Sequence, residues 1–236
     1  LNAMDSLFNF VPLPIVILFF VFAAFKTNGL KFAIFTFASL VFIDLLDVWE
    51  ETMTTMAMIV TAVLFCCVIG IPVGILASRN NTFEMILRPV LDVMQTIPSF
   101  VYLIPVVMLF GVGLTPGVIA IIIFSIAPVI RLTNLGLRQV GKGVIDAGRA
   151  LGCSKLVILY KIELPLALKT ILAGVNQTLM LSLSMAVIAA LIGAGGLGLT
   201  VYVGLGRLDI GQAFVGGLGI VLIAIIFDRI TQKIIS

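Results

Sequence analysis

Apolar runs broken by short charged stretches set the rhythm of this chain. A helix needs about 20 apolar residues to cross a hydrocarbon core of about 30 Å. Residues 6–25 and 52–78 reach that length, the second with Pro72 inside it. Residues 30–46 do so if Asp44 lies at the membrane interface. The stretch 93–130 is too long for one helix and fits two, with the break in the turn-forming run Gly111-Val112-Gly113-Leu114-Thr115-Pro116-Gly117. Residues 166–191, interrupted only by Lys169, and 210–227 complete the set. The pattern predicts an all-α integral membrane protein with about seven transmembrane helices.

Between the spans, the longest polar stretch is 133–163. Its apolar residues Val144, Ala147, Leu151, Leu156, Ile158 and Leu159 recur at helical spacing among charges. Gly152 interrupts them as a helix C-terminal turn does. Pro165 stands where the next membrane helix should begin, because proline is favoured in a first helical turn.

Basic residues predict the sidedness. With the N-terminus outside, Lys26, Lys31, Arg79 and Arg88 fall on the inner side. The cluster Arg131, Arg138, Lys142, Arg149, Lys155, Lys161 and Lys169 follows them, then Arg229 and Lys233. Arg207 alone is left outside, where Asp44, Asp47, Glu50 and Glu51 gather. The expected location is a bacterial-type inner membrane, with the C-terminus in the cytoplasm. Trp49 reads either as an interfacial anchor, its ring apolar and its N–H polar, or as a plain loop aromatic.

Composition narrows the class. Hydrophobic residues make up 61% and charged residues 11%, against about 45–50% and about 25% in a soluble domain. No stretch has the polarity of a soluble domain. A scattered net charge of +3 leaves no nucleic-acid footprint. Cys66 and Cys67 are neighbours in an apolar run and Cys153 lies in the basic loop, so no disulfide framework is expected. The chain has no His, which removes the commonest metal ligand and general base. It opens on Leu1, ahead of Met4, so a fragment or a foreign leader is expected. The run 11–25 lacks a basic flank before it and is expected to be a retained helix rather than a signal peptide.

The basic loop carries a resemblance. Asp146-Ala147-Gly148, then Gly152, then Ile162-Glu163-Leu164-Pro165 is similar to the loop of ATP-binding-cassette importer permeases, E-A-A, three residues, G, nine residues, I-x-L-P. Both spacings match. The departures are Asp for Glu and Gly for the second Ala. The stretches from Leu91 to Tyr102, Gly174 to Met180 and Gly206 to Gly211 resemble the permease of glycine betaine and proline betaine importers, over roughly residues 48–234. The resemblance implies a five-helix type I importer core over 48–236, preceded by two further helices in 1–47, and a permease dimer. It also implies two ATPase subunits, which carry the ATP and Mg²⁺, and an extracytoplasmic substrate-binding protein. A short helix in the loop would be the coupling helix, with Asp146, Ala147, Gly148, Leu151, Gly152, Ile162, Leu164 and Pro165 as its residues. No cofactor is expected in this chain.

Two phosphate-binding patterns fail on inspection. Gly136-Leu137-Arg138-Gln139-Val140-Gly141-Lys142 is followed by Gly143, so the Mg²⁺-binding hydroxyl of a P-loop is missing. Gly193-Ala194-Gly195-Gly196-Leu197-Gly198 fits GxGxxG but follows a membrane span rather than a strand. Gly193, Gly195, Gly196 and Gly198 read instead as close packing or as a flexible gate.

Polar groups within spans tend to face a bundle interior or a cavity. Asp92, Gln95, Thr96 and Ser99, with Pro98 breaking the helix, form one candidate pathway cluster, and Asn176 and Gln177 another. Asp92 either faces the pathway or pairs with Arg88. Ser182 and Ser184 are expected to bond back to their own helix. Aromatic cages hold quaternary ammonium groups, and one Trp, three Tyr and scattered Phe offer none. Selectivity is therefore expected in the binding protein. The resemblance implies a small quaternary-amine osmolyte as cargo, with choline, carnitine or an amino acid as the alternative within the importer class. An ion-coupled secondary transporter would need midplane carboxylates and inverted repeats, and an integral membrane enzyme would need a nucleophile–base pair; neither is visible.

Overall fold

The computed structural model describes residues 12–235. Its helices in chain order are α1 (Leu13–Asn28), α2 (Leu30–Leu45), α3 (Trp49–Arg79), α4 (Asn81–Thr96), α5 (Leu103–Phe110), α6 (Leu114–Arg138), α7 (Lys142–Ala150), α8 (Lys155–Ile158), α9 (Leu164–Ala189), α10 (Gly196–Gly206) and α11 (Ile210–Ile235). No strand occurs among the described residues.

Four helical stretches are long and apolar enough to cross a membrane: Trp49–Arg79, Leu114–Arg138, Lys155–Ile192 and Ile210–Lys233. A bent pair, Asn81–Thr96 with Ser99–Phe110, makes a fifth. Helices α1 and α2 have 16 residues each, about 24 Å at 1.5 Å per residue. They stand where the first two spans are predicted, and the start of the predicted 6–25 span lies outside the described residues.

The predicted helix from Val93 to the 111–117 turn is not straight. The chain bends by 109° between Asn81–Thr96 and Ser99–Phe110. Pro98 has no N–H to give Met94, and a residue before proline avoids the helical region. Ile97 is accordingly extended, with φ −67° and ψ 129°. The carbonyl of Met94 takes the Tyr102 hydroxyl instead, at 2.6 Å. Arg88 lies within α4, which begins at Asn81, well before the predicted start of the span at Val93.

Two further elements differ from expectation. The 193–209 stretch is not a loop: α10 occupies Gly196–Gly206 and packs on α11. At 11 residues it is too short for a span by the length rule. Pro165 stands in the first turn of α9, as expected, but that helix does not start from a loop, because helical structure runs into it from Lys155. A π-turn at Leu159–Glu163 widens the ladder just before the proline, where Leu164 N–H reaches back to Leu159 O. Such a turn accommodates the hydrogen bond that proline cannot make.

α6 lies along both α3 and α9. Small residues set these contacts, as they do between membrane helices. A Cβ on Gly74 would stand 2.6 Å from Thr133 Cβ, and one on Gly174 would stand 3.0 Å from Leu132 Cβ. Ser182 donates to Ser125 at 2.9 Å and to its own-helix Thr178 O at 2.8 Å. Ser184 bonds back to Met180 O at 3.2 Å, as its position within a helix predicts.

Contacts sort the helix ends into two groups. Asn28 Nδ2 meets Arg229 O at 2.9 Å, Arg138 Nη2 meets Ala77 O at 2.9 Å, and Arg79 pairs with Glu163. At the opposite end, Gly113 N meets Ile192 O at 2.7 Å, and Leu197 N meets Thr55 Oγ1 at 2.8 Å. The basic loop and Arg79, Arg138 and Arg229 therefore share one end. Trp49, Glu51 and the glycine-rich turn share the other.

Candidate functional site

The basic loop folds as a short helix on a firm base. α7 begins after Gly141 and ends in a paired turn: Gly152 N–H bonds Arg149 O at 2.9 Å, and Cys153 N–H bonds Gly148 O at 3.1 Å. This turn requires Gly152 to adopt φ +75°, a conformation that costs an L side chain about 1–2 kcal/mol. Gly148 is the buried residue of α7. A Cβ there would stand 2.9 Å from Ile162 Cδ1, so the absent side chain is what lets α7 lie against the π-turn. Ile145 packs beside it on Leu137, Val140, Ala167 and Ile171. Asp146 bonds only along its own helix, to Arg149 at 3.2 Å.

Several apolar side chains of the loop are left uncovered beside this base. Leu151 is 83% exposed, and Leu156 and Tyr160 are exposed by about two thirds. Val144 and Ala147 join them. Leu164 is half-buried against the α6 end, and Pro165 faces outward.

Beneath this surface lies an acid that sequence reasoning did not single out. Glu163 is 2% exposed and is gripped by both terminal nitrogens of Arg79, with Nη1–Oε1 at 3.0 Å. Its place inside the I-x-L-P motif was the one signal, since a carboxylate in an apolar run needs a partner.

The first polar cluster sits near the same end. Asp92 pairs with Arg131, not with Arg88. Arg88 turns instead to Glu84 at 3.0 Å, the i,i+4 neighbour, which also takes Arg138 at 2.9 Å and Asn134 at 3.1 Å. These groups line a cavity of about 500 Å³ between the ends of α3, α4 and α6, with Leu87, Leu91 and Ile130 as its apolar wall. Gln95, Thr96 and Pro98 are exposed and Ser99 is half-buried. Asn176 turns away from them towards α11, donating to Asp228 at 3.3 Å and accepting from Thr231. Gln177 is exposed. The two predicted polar clusters thus do not meet within one chain.

The glycine-rich turn is packed. Gly193, Gly195 and Gly196 have φ of +76°, +81° and +68°. A Cβ on Gly196 would strike Thr55 Oγ1, and one on Gly198 would stand 2.9 Å from Ala186 O. The run from Gly136 to Lys142 ends α6 and begins α7, and a Cβ on Gly136 would stand 3.0 Å from Thr170 Cβ.

Comparison with known proteins agrees with this architecture. The chain is 50% identical over 234 residues to the glycine betaine/proline betaine transport system permease protein of Escherichia coli (strain K12), covering 99% of this chain and 66% of that protein. Its counterpart in Salmonella typhimurium (strain LT2) is 52% identical, covering 92% and 62%. The chain therefore spans just under two thirds of the length of these relatives. It is 46% identical to the glycine betaine/carnitine transport permease protein of Listeria monocytogenes serotype 1/2a, covering 98% of this chain and 83% of that protein. Among solved structures, an inward-facing MetNI methionine ABC transporter chain superposes with a TM-score of 0.71 at 22% identity, covering 80% of this chain and 94% of that one. Residues 70–235 match the family described as "Binding-protein-dependent transport system inner membrane component". With more than two thirds of its length inside that match and its helices arranged like those of a solved ABC transporter chain, the chain belongs to this family of inner membrane transport components.

Proposed function

We propose that this chain is the membrane-spanning permease subunit of an ATP-driven importer that moves a small quaternary-amine osmolyte into the cytoplasm. Glycine betaine, proline betaine and choline-like solutes are the cargo class, on the strength of the relatives' names. The observation that carries the mechanism is the uncovered apolar face of Val144, Ala147, Leu151, Leu156 and Tyr160 on a loop whose other face is locked to the bundle. Such a face fits a groove on a soluble partner, and movement of the groove becomes movement of the attached helices. The partner is a pair of ATP-binding-cassette ATPase subunits holding the ATP and Mg²⁺. An extracytoplasmic binding protein delivers the cargo, and a second copy of the chain completes the passage.

The segregation of basic residues to the loop end supports a cytoplasmic loop and C-terminus, with the N-terminus outside. Residues 48–236 would form the permease core, with the 1–47 segment added to it. Gln95, Thr96 and Gln177, exposed in the single chain, are proposed to line the passage between two copies. Asp92, Ser99 and Asn176 are bonded or half-covered and would flank it.

The test is reconstitution in liposomes with candidate ATPase and binding-protein subunits, following uptake of labelled glycine betaine. ATP-dependent uptake is expected, and Gly152→Asp should insert normally yet fail to co-purify with the ATPase. Uptake by this chain alone without ATP would overturn the reading in favour of a secondary transporter.

A further inference from the structure

Resting on the coupling role proposed for the loop, we infer that Arg79 and Glu163 form a positioning pair that makes α3 move with α9 when the loop moves. The two helices receive motion differently. α9 is joined to the loop covalently, as part of one helical stretch from Lys155 to Ile192. α3 has no chain connection to it. Its last residue, Arg79, instead holds Glu163, which ends the π-turn.

The position of Glu163 gives this pair its leverage. It directly follows Ile162, against which Gly148 of α7 is packed at close range. A tilt of α7 therefore acts on the π-turn first, and the π-turn carries the carboxylate. The forked geometry fixes the direction as well as the distance between the partners, which a single contact does not. Glu163 is buried, so water competes little for it.

The far end closes the frame. α3 spans 31 residues, about 46 Å, and Thr55 near its start accepts the Leu197 N–H at 2.8 Å. Leu197 lies just beyond the glycine-rich turn that ends the Lys155–Ile192 stretch. α3 is thus tied ionically to the start of α9 beside the loop, and at the opposite side its Thr55 hydroxyl holds the first turn of α10, which follows the end of α9. Cutting the ionic tie lets α9 tilt while α3 stays behind.

The experiment compares ATP hydrolysis with labelled glycine betaine uptake for the reconstituted complex. Glu163→Gln should keep the ATPase bound and hydrolysing, while uptake per ATP falls roughly tenfold, within the usual range of a coupling energy. Because Arg79 would then lack its partner, a second variant removes both charges: Arg79→Met with Glu163→Gln leaves no buried charge unpaired and should be equally uncoupled. If either variant keeps the wild-type ratio, or the double variant regains it, the pair merely neutralises a buried charge and the inference is overturned. Loss of the ATPase from both variants overturns it too, since the pair would then shape the docking surface. Failure of the underlying coupling role looks different: the unmodified chain would not capture the ATPase at all.

Discussion

Gly148 of α7 lies so close to Ile162 that a methyl group added to it would stand 2.9 Å from the Ile162 Cδ1. The crowded atom is the tip of a flexible side chain, so alanine can be accommodated by a rotation, whereas a branched or longer side chain cannot. Gly148→Ala is expected to leave ATPase capture within a few-fold of wild type. Gly148→Leu should lose about 1–3 kcal/mol through overpacking and lift α7 from its base. Pull-down of the ATPase, alongside thermal unfolding in detergent, separates the two variants.

The exposed face of α7 and α8 is expected to behave as an interface rather than as a structural element. Leu151→Asp touches no buried neighbour, so its unfolding midpoint should stay near wild type. A charge in the centre of an apolar contact typically costs about 2 kcal/mol or more, so ATPase affinity should fall roughly thirtyfold. Unchanged affinity would show that the ATPase docks elsewhere.

At Gly152 the backbone, not the available space, restricts the side chain. Its φ is +75° and no atom lies within 4 Å of an added Cβ. Asn, which tolerates this region, should substitute with little loss, while Val should destabilise the turn by about 1–2 kcal/mol. Hydrogen exchange at Cys153, whose N–H closes the turn on Gly148 O, reports the difference.

At the bend that Pro98 imposes after α4, one hydroxyl satisfies the freed carbonyl. Tyr102→Phe removes the donor that satisfies Met94 O, and an unsatisfied buried carbonyl costs about 1–3 kcal/mol. A lower unfolding midpoint is expected, together with greater protease sensitivity at 97–101. A midpoint identical to wild type would mean that water or lipid replaces the hydroxyl.

Gly196 faces Thr55, which itself donates to Glu51 O at 2.7 Å and accepts from Leu197 N. Gly196→Ala adds both a backbone penalty and a clash with that oxygen, so a loss of about 2–4 kcal/mol is expected from the two combined. Thr55→Val should cost less, because it removes the hydrogen bond without the clash. Thermal unfolding of the two variants in the same detergent orders them.

Much of this was legible along the chain. The spacing of apolar runs anticipated α3, α6, α9 and α11, because a membrane helix satisfies its own backbone and needs only length and apolarity. Gly152 announced the end of α7, and Pro98 announced a break. The direction taken after Pro98 was not legible, since it depends on Tyr102 finding Met94 across a turn. Nor was α10, whose first glycines read only as close packing or a gate; Gly196–Gly206 forms a helix that packs on α11. By sequence Asp92 either faces the pathway or pairs with Arg88, four residues earlier; only the placement of α4 beside α6 gives it Arg131.

The sequence by itself determined that the chain is helical and membrane-spanning, which ends of its helices share a side, and where its one long polar loop lies. These follow from hydropathy and charge, which act locally and add along the chain. Tertiary structure alone decided that Glu163 is buried against Arg79, that Gly148 and Gly196 are contact points, and that Asn176 serves the α9–α11 seam rather than the Asp92 cluster. Each of these depends on helices far apart in sequence arriving at one place, and no local pattern records which neighbour a side chain will meet.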